Sequence, residues 1–284
     1  MIRRPDRNTA GRPAVLRSGL LVDAGFGHTD CKGRRRILQP SLRIRTMFFG
    51  ADPLYLLLVT PALALAGWAQ ARIMAAYREG SRFRASSGVT GAQAAQVVME
   101  EGGVRGVAIE PVAGQLTDHY DPSHKILRLS AGNFQEDSLA AVGVAAHEAG
   151  HAIQDATHYP LLVVRNLMVP LASLGSNASM LLLIGGVAMQ WPALMYVAIG
   201  LFSLAVLFQV VNLPVEFNAS RRARAMLQES GLVSPQEDEV VGKVLNAAAM
   251  TYVAATLTGV SQLLYFLIRT GAVGGRGDRD DRGT

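Results

Sequence analysis

The chain has a single cysteine, Cys31, among 284 residues, which excludes an internal disulfide and any site built from several thiolates. A metal ion would have to be held by His, Asp or Glu. Charge is scarce as well: 17% of residues are charged, against about 25% in soluble domains, and 50% are hydrophobic. That balance excludes an ordinary soluble protein. Acidic residues are nearly missing from one end, where residues 1–46 hold ten Arg and one Lys against Asp6, Asp23 and Asp30. The net charge of +5 therefore belongs to a tail, and the rest of the chain carries a small acidic excess. A nucleic-acid-binding role loses its main support, and no nucleic-acid partner is expected.

What the chain does have is long apolar runs. Four stretches reach the roughly 20 residues needed to cross a bilayer: Leu54 to Ile73, Leu167 to Met189, Ala193 to Val211, and Ala247 to Ile268. Pro61 in the first and Ser173, Ser176, Asn177 and Ser179 in the second are tolerated in membrane helices, and the serine series is expected to mark packing faces. Trp191-Pro192 leaves almost no loop between the second and third stretches, so they should form a tight hairpin whose outer ends share one side of the membrane.

Between the first two spans, residues 77–160 carry the signals of a small α+β region. Thr90 and Gln93 form a capping-box pattern before a helix that Gly102-Gly103 would stop. Val107 to Glu110 and Lys125 to Leu129 read as short strands around the turn-rich Asp118-His-Tyr-Asp-Pro122. The second of these strands could add an extended substrate at a sheet edge or lie inside the sheet. Asp137 or Ser138 then caps a helix running to about Gln154.

That helix contains His147-Glu148-Ala149-Gly150-His151. Two histidines four apart lie one turn above each other, so both imidazoles can face one Zn²⁺ while Glu148 reaches a water on its open side. The bland alternative is an amphipathic helix with solvated His and Glu. A zinc hydrolase needs a third protein ligand. The extended metzincin pattern is excluded, because Gln154 and Thr157 stand where it requires Gly and His. His158 precedes Tyr159-Pro160, which argues for a helix end there, and His119 and His124 lack helical spacing to the pair. Glu216 is the better candidate, since the hairpin returns the chain to the side of the His helix. The competing reading of Glu216 is a helix-start charge beside Pro214.

Three separated segments now resemble a known family. His147-Glu-Ala-Gly-His151, preceded by Leu116-Thr-Asp-His-Tyr-Asp-Pro122 and followed by Leu213-Pro-Val-Glu-Phe-Asn-Ala-Ser-Arg-Arg222, is similar to the YugP-type neutral zinc metallopeptidases of bacterial membranes. The resemblance spans Met47 to about Ile268. It implies one Zn²⁺ per chain on His147, His151 and Glu216, with Glu148 as catalytic base. It also implies a distant likeness to HtpX-like membrane proteases, in which an Asp often stands where this chain has Ser220. That substitution puts a supporting role for the side chain in question.

The expected architecture is an α-helical integral membrane protein with about four transmembrane helices and a small α+β, gluzincin-like catalytic domain built around the HExxH helix. Its parts are a basic tail (1–46), a first transmembrane segment (47–76), the catalytic region (77–160), a transmembrane hairpin (161–212), a third-ligand helix (213–245), a fourth transmembrane segment (246–268) and a disordered tail (269–284). The expected activity is zinc-dependent hydrolysis of protein or peptide substrates, membrane proteins among them, within a bacterial cell membrane. The alternative is a non-catalytic zinc-binding membrane scaffold. Twelve of the sixteen basic residues after Met47 lie in 72–165 and 213–245, which orients the catalytic side to the cytoplasm. Four spans would then put the first 46 residues outside, against the same rule. A disordered arm, a targeting peptide and a misplaced start before Met47 are the three readings of that tail, and only the last removes the contradiction.

Overall fold

The computed structural model describes residues 52–272. The expectations for residues 1–46, for a start at Met47 and for the tail beyond residue 272 lie outside the described residues. Eleven elements follow in order: α1 (Pro53–Leu58), α2 (Thr60–Gly80), α3 (Gly91–Glu101), β1 (Ala108–Val112), β2 (His119–Asp121), β3 (Ile126–Ser130), α4 (Ala131–Gln135), α5 (Leu139–Ala156), α6 (Pro160–Ala188), α7 (Pro192–Glu229) and α8 (Pro235–Arg269). The chain is mostly helical, and four stretches are long and apolar enough to cross a membrane: 53–80, α6, α7 and α8.

Side-chain clusters give the direction of each long helix. Val59, Leu183, Ala198, Ile199, Tyr265 and Phe266 pack together, so one end of the bundle holds the start of α2, the end of α6, the start of α7 and the end of α8. Asp52 closes this end: it caps α1 through Leu54 N–H (3.0 Å), accepts from the Tyr265 hydroxyl (2.9 Å) and pairs with Arg269. At the opposite end, Ile73 of α2, Ala140 of α5, and Val244 and Ala247 of α8 pack together. The helices therefore alternate in direction, and the end of α7 returns to the level of α5.

Several local expectations are revised. Pro61 lies in the first turn of α2, where its missing N–H separates α1 from α2 at Val59. Pro214 lies inside α7 and does not start a helix: the third span and the Glu216 segment are one helix of 38 residues. A proline removes only one backbone hydrogen bond, and neighbouring membrane helices support the turn around it. The buried face of α6 is Ala172, Gly175, Ser179, Leu183 and Gly186, whereas Ser173, Ser176 and Asn177 are exposed. The Ser176 hydroxyl is spent on the Ser173 carbonyl of its own helix (3.2 Å). Small side chains set the approach here, since a Cβ on Gly175 would lie 2.5 Å from the Leu201 carbonyl oxygen of α7.

The Thr90–Gln93 capping box and the Ser138 cap of α5 are both present. The sheet differs from the sequence reading. Residues 119–121 form a strand, and the order is β1-β3-β2, with β1 parallel and β2 antiparallel to β3. Because β3 is central, an extended substrate has no edge on which to add there; β1 and β2 are the edges. Leu127 and Leu129 of β3 are fully buried against the back of α5, in a core with Val98, Val142, Ala145 and Ala149.

Helices α5 and α7 also approach closely, since a Cβ on Gly150 would lie 2.7 Å from the Ala219 carbonyl oxygen. Gly150→Ala should force these helices apart and lower stability by about 1–3 kcal/mol, as read by thermal unfolding. Single cysteines at Ser87 and Arg221, introduced after replacing Cys31, should react with an impermeant label from the same face of the membrane. A cysteine at Trp191 should react from the other. Labelling of 87 and 221 from opposite faces would contradict the alternating bundle.

Candidate metal centre

The helix α5 forms because Ser138 accepts from the Ala141 N–H (3.2 Å) and a run of small and apolar residues, 139–146, buries its back. One turn separates His147 from His151, whose rings stand edge-on at 4.8 Å between centroids. From α7, Glu216 reaches both: its Oε2 lies 3.2 Å from His147 Nε2 and 3.5 Å from His151 Nε2. Ligand atoms of these three residues all lie within 4.8 Å of one another. His119, His124 and His158 are not in the cluster.

The hydrogen bonds behind the cluster orient both rings and decide which nitrogen of His151 carries its proton. Gln154 Nε2 donates to the Val215 carbonyl (2.9 Å) and to Asn218 Oδ1 (3.0 Å), so its Oε1 must be an acceptor. That oxygen is 3.0 Å from His151 Nδ1, which therefore holds the hydrogen and leaves the Nε2 lone pair facing Glu216. His147 Nδ1 is 3.1 Å from the Ser220 hydroxyl, which holds the ring in place and can either donate or accept there. A serine thus occupies the supporting position beside His147 without the acceptor-only character of an Asp. Asn212 Nδ2 donates to Glu216 Oε1 (3.2 Å), which turns Oε2 toward the histidines. Burial pushes the His151 imidazole down, but the adjacent Glu216 carboxylate outweighs it and raises its pKa overall. A proton and a metal ion compete for that nitrogen.

The Leu213–Arg222 segment is accounted for nearly residue by residue. Val215 and Asn218 hold Gln154, Glu216 faces the histidines and Ser220 holds His147. Arg222 Nε donates to Asn218 Oδ1 (2.9 Å), and its guanidinium lies over the Tyr159 ring. The earlier Asp118–Pro122 segment is structural in the same detail. Asp118 accepts from Ser130 N–H (2.7 Å) and from Asn133 Nδ2 (2.9 Å). The Tyr120 hydroxyl donates to Asp155 (2.7 Å), and burial together with this bond raises the phenol's pKa, so it stays protonated. Asp121 accepts from His124 Nδ1 (2.8 Å), which with further bonds holds its carboxyl well below the usual carboxylate range. His124 is thereby committed away from the cluster. His158 sits beyond the end of α5 in a left-handed backbone conformation, exposed.

A pocket of about 100 Å³ opens on the cluster, lined among others by Glu148, His151, Glu216, His119, Tyr120, Arg165 and Tyr252. A larger cleft of about 780 Å³ between α3 and β1 shares none of these residues. Glu148 lines the small pocket without belonging to the group of clustered ligands. Gln154, Asn212, Asn218, Arg165 and Tyr252 were not singled out from sequence. Two of them carry a helical signal: Gln154 follows His151 by three residues, and Asn212 precedes Glu216 by four.

Comparison with known proteins adds to this geometry. A family model described as "Putative neutral zinc metallopeptidase" matches residues 55–271. The chain is 42% identical over 215 residues to "Putative membrane protease YugP" of Bacillus subtilis (strain 168), an alignment covering 76% of this chain and 96% of that protein. No solved structure matches it. With three quarters of its length matched by one family model and a relative aligned almost end to end, the chain belongs to the family described as "Putative neutral zinc metallopeptidase".

Proposed function

We propose that this protein is a membrane-embedded zinc-dependent endopeptidase that hydrolyses peptide bonds at the cytoplasmic face of a bacterial membrane, with one Zn²⁺ per chain. The observation that carries this reading is the convergence of two imidazole nitrogens and one carboxylate oxygen beside a further carboxylate, Glu148, that is not one of them. The donor set fits zinc: two imidazole nitrogens, that of His151 with its tautomer fixed by Gln154, and one carboxylate oxygen, three protein ligands leaving one position open. When bound, Zn²⁺ supplies Lewis acidity and lowers the pKa of water toward about 7.

Glu148 takes a proton from the attacking water and returns it to the leaving nitrogen. Water is consumed and one carboxyl and one amino terminus are released. Gln154 and Ser220 hold the rings, and Asn212 holds Glu216, so the ligands need no rearrangement. Edge strand β2 lines the pocket through His119 and Tyr120, and this supports the capture of an extended peptide by strand addition. The basic residues concentrated at the cluster's end of the bundle support a cytoplasmic orientation.

Detergent-purified protein should contain zinc and cleave casein. Glu148→Gln should keep about one zinc per chain while hydrolysis falls at least about 10²-fold. Turnover equal to the parent's would remove the base, and zinc without turnover in the parent would favour a scaffold. Glu216→Ala should lose zinc while inserting normally, whereas His119→Ala and His158→Ala should keep it. Gln154→Leu, which leaves every ligand in place, should weaken zinc affinity by about 10–100-fold, as measured by competition with a chelating dye.

A further inference from the structure

Attack of water on a peptide carbonyl moves the π electron pair onto the carbonyl oxygen, and a hydrogen-bond donor aimed at that charge lowers the barrier beyond what a metal ion supplies. The polar groups lining the pocket can be tested one by one. Asp118, Glu148 and Glu216 accept as carboxylates. His119 Nδ1 lies 2.8 Å from the Thr117 carbonyl, which can only accept, so the neutral ring has a bare lone pair at Nε2. The N–H of His151 is spent on Gln154, and the Tyr120 hydroxyl on Asp155. The Tyr252 phenol lines the pocket together with Glu216, whose carboxylate can accept its hydrogen. Arg165 remains.

Arg165 is the sixth residue of α6, which turns back from α5 through Thr157–Tyr159. It forms no ion pair or hydrogen bond with any described residue, and its Nε is buried without a partner. Two buried carboxylates among the described residues are matched by guanidinium groups: Asp52 by Arg269 and Asp238 by Arg224. A guanidinium remains charged under all ordinary conditions, and leaving it partly desolvated without a counter-ion is costly. A packing role alone gives no reason to bear that cost beside a catalytic carboxylate.

We propose that Arg165 is a catalytic residue that donates to the anionic oxygen developing on the scissile carbonyl; this inference rests on the peptidase reading. As the water oxygen bonds to the carbonyl carbon, its proton passes to Glu148 and the C=O π pair becomes a lone pair facing Arg165. Collapse re-forms the C=O bond and breaks the C–N bond, and the nitrogen takes the proton from Glu148. No oxidant, reductant or further reactant is needed.

The test uses the full-length zinc-loaded protein and peptides that the parent cuts from casein, synthesised with free and with amidated C-termini. Arg165→Gln should retain parental zinc content and KM within about threefold, while kcat falls by about 10²–10³-fold on both peptide forms. Arg165→Lys, which keeps the charge, should recover part of the loss. N-phosphoryl-Leu-Phe, whose tetrahedral phosphoryl group carries anionic oxygens, should bind Arg165→Gln at least about tenfold more weakly than the parent in calorimetry. Equal affinities, including no binding by either, overturn the inference. So does a loss confined to peptides with a free carboxylate, which would make Arg165 a receiver of the substrate C-terminus. Loss of zinc from both variants would assign it a structural part and overturn it too. A parent no more active on casein than Glu148→Gln overturns the peptidase reading and this inference together; an active parent with an equally active Arg165→Gln overturns this inference alone.

Discussion

Everything at the metal cluster depends on how closely α7 lies against α5. The residues that meet across them are more than sixty apart in sequence, and the three clustered ligand atoms come from both helices. Gly150 lets the Ala219 backbone approach to a distance that any Cβ would obstruct. That approach brings Val215, Asn218 and Ser220 within hydrogen-bonding reach of Gln154 and His147. Glycine at the second variable position of the His-Glu-Ala-Gly-His segment is thus a contact surface, and the polar network grows out of it.

The network converts a tertiary contact into chemical state. A free imidazole exchanges its proton between two nitrogens, and either could face a ligand. Here the choice for His151 follows from an amide whose two N–H groups are already committed to α7. Were α7 displaced, Gln154 would lose the acceptors that orient it and the ring would lose its preference. Tautomer, ligand orientation and helix packing are consequently one property of the fold.

The parts legible in sequence are those governed by local periodicity. Two histidines four apart, a capping box and four long apolar runs each follow from rules spanning fewer than about 25 residues, and each has its counterpart in the structure. Glu216 became legible through one topological step, the hairpin at Trp191-Pro192. Where the state depends on a distant partner, local rules misled. His119–Asp121 has turn composition, and it is a strand because β3 pairs with it. Pro214 has the composition of a helix start, yet the apolar run on its N-terminal side continues through it. Gln154 follows His151 at helical spacing, but what orients its amide, the Val215 carbonyl and Asn218 Oδ1, lies on a helix some sixty residues away.

The continuity of α7 also acts as a ruler. Pro192 begins the helix beside Trp191, a residue type that settles at the headgroup boundary, and Glu216 lies 24 residues further on. At 1.5 Å per residue that is about 36 Å, slightly more than the roughly 30 Å of a hydrocarbon core. An unbroken rod of that length fixes the depth of the carboxylate at the lipid–water boundary, without a loop to absorb variation. For the peptidase proposed above, the bonds within reach would be those a chain can bring to the lipid surface while its neighbouring segments stay in the bilayer, so reach, as much as side-chain preference, would select where a polypeptide is cut.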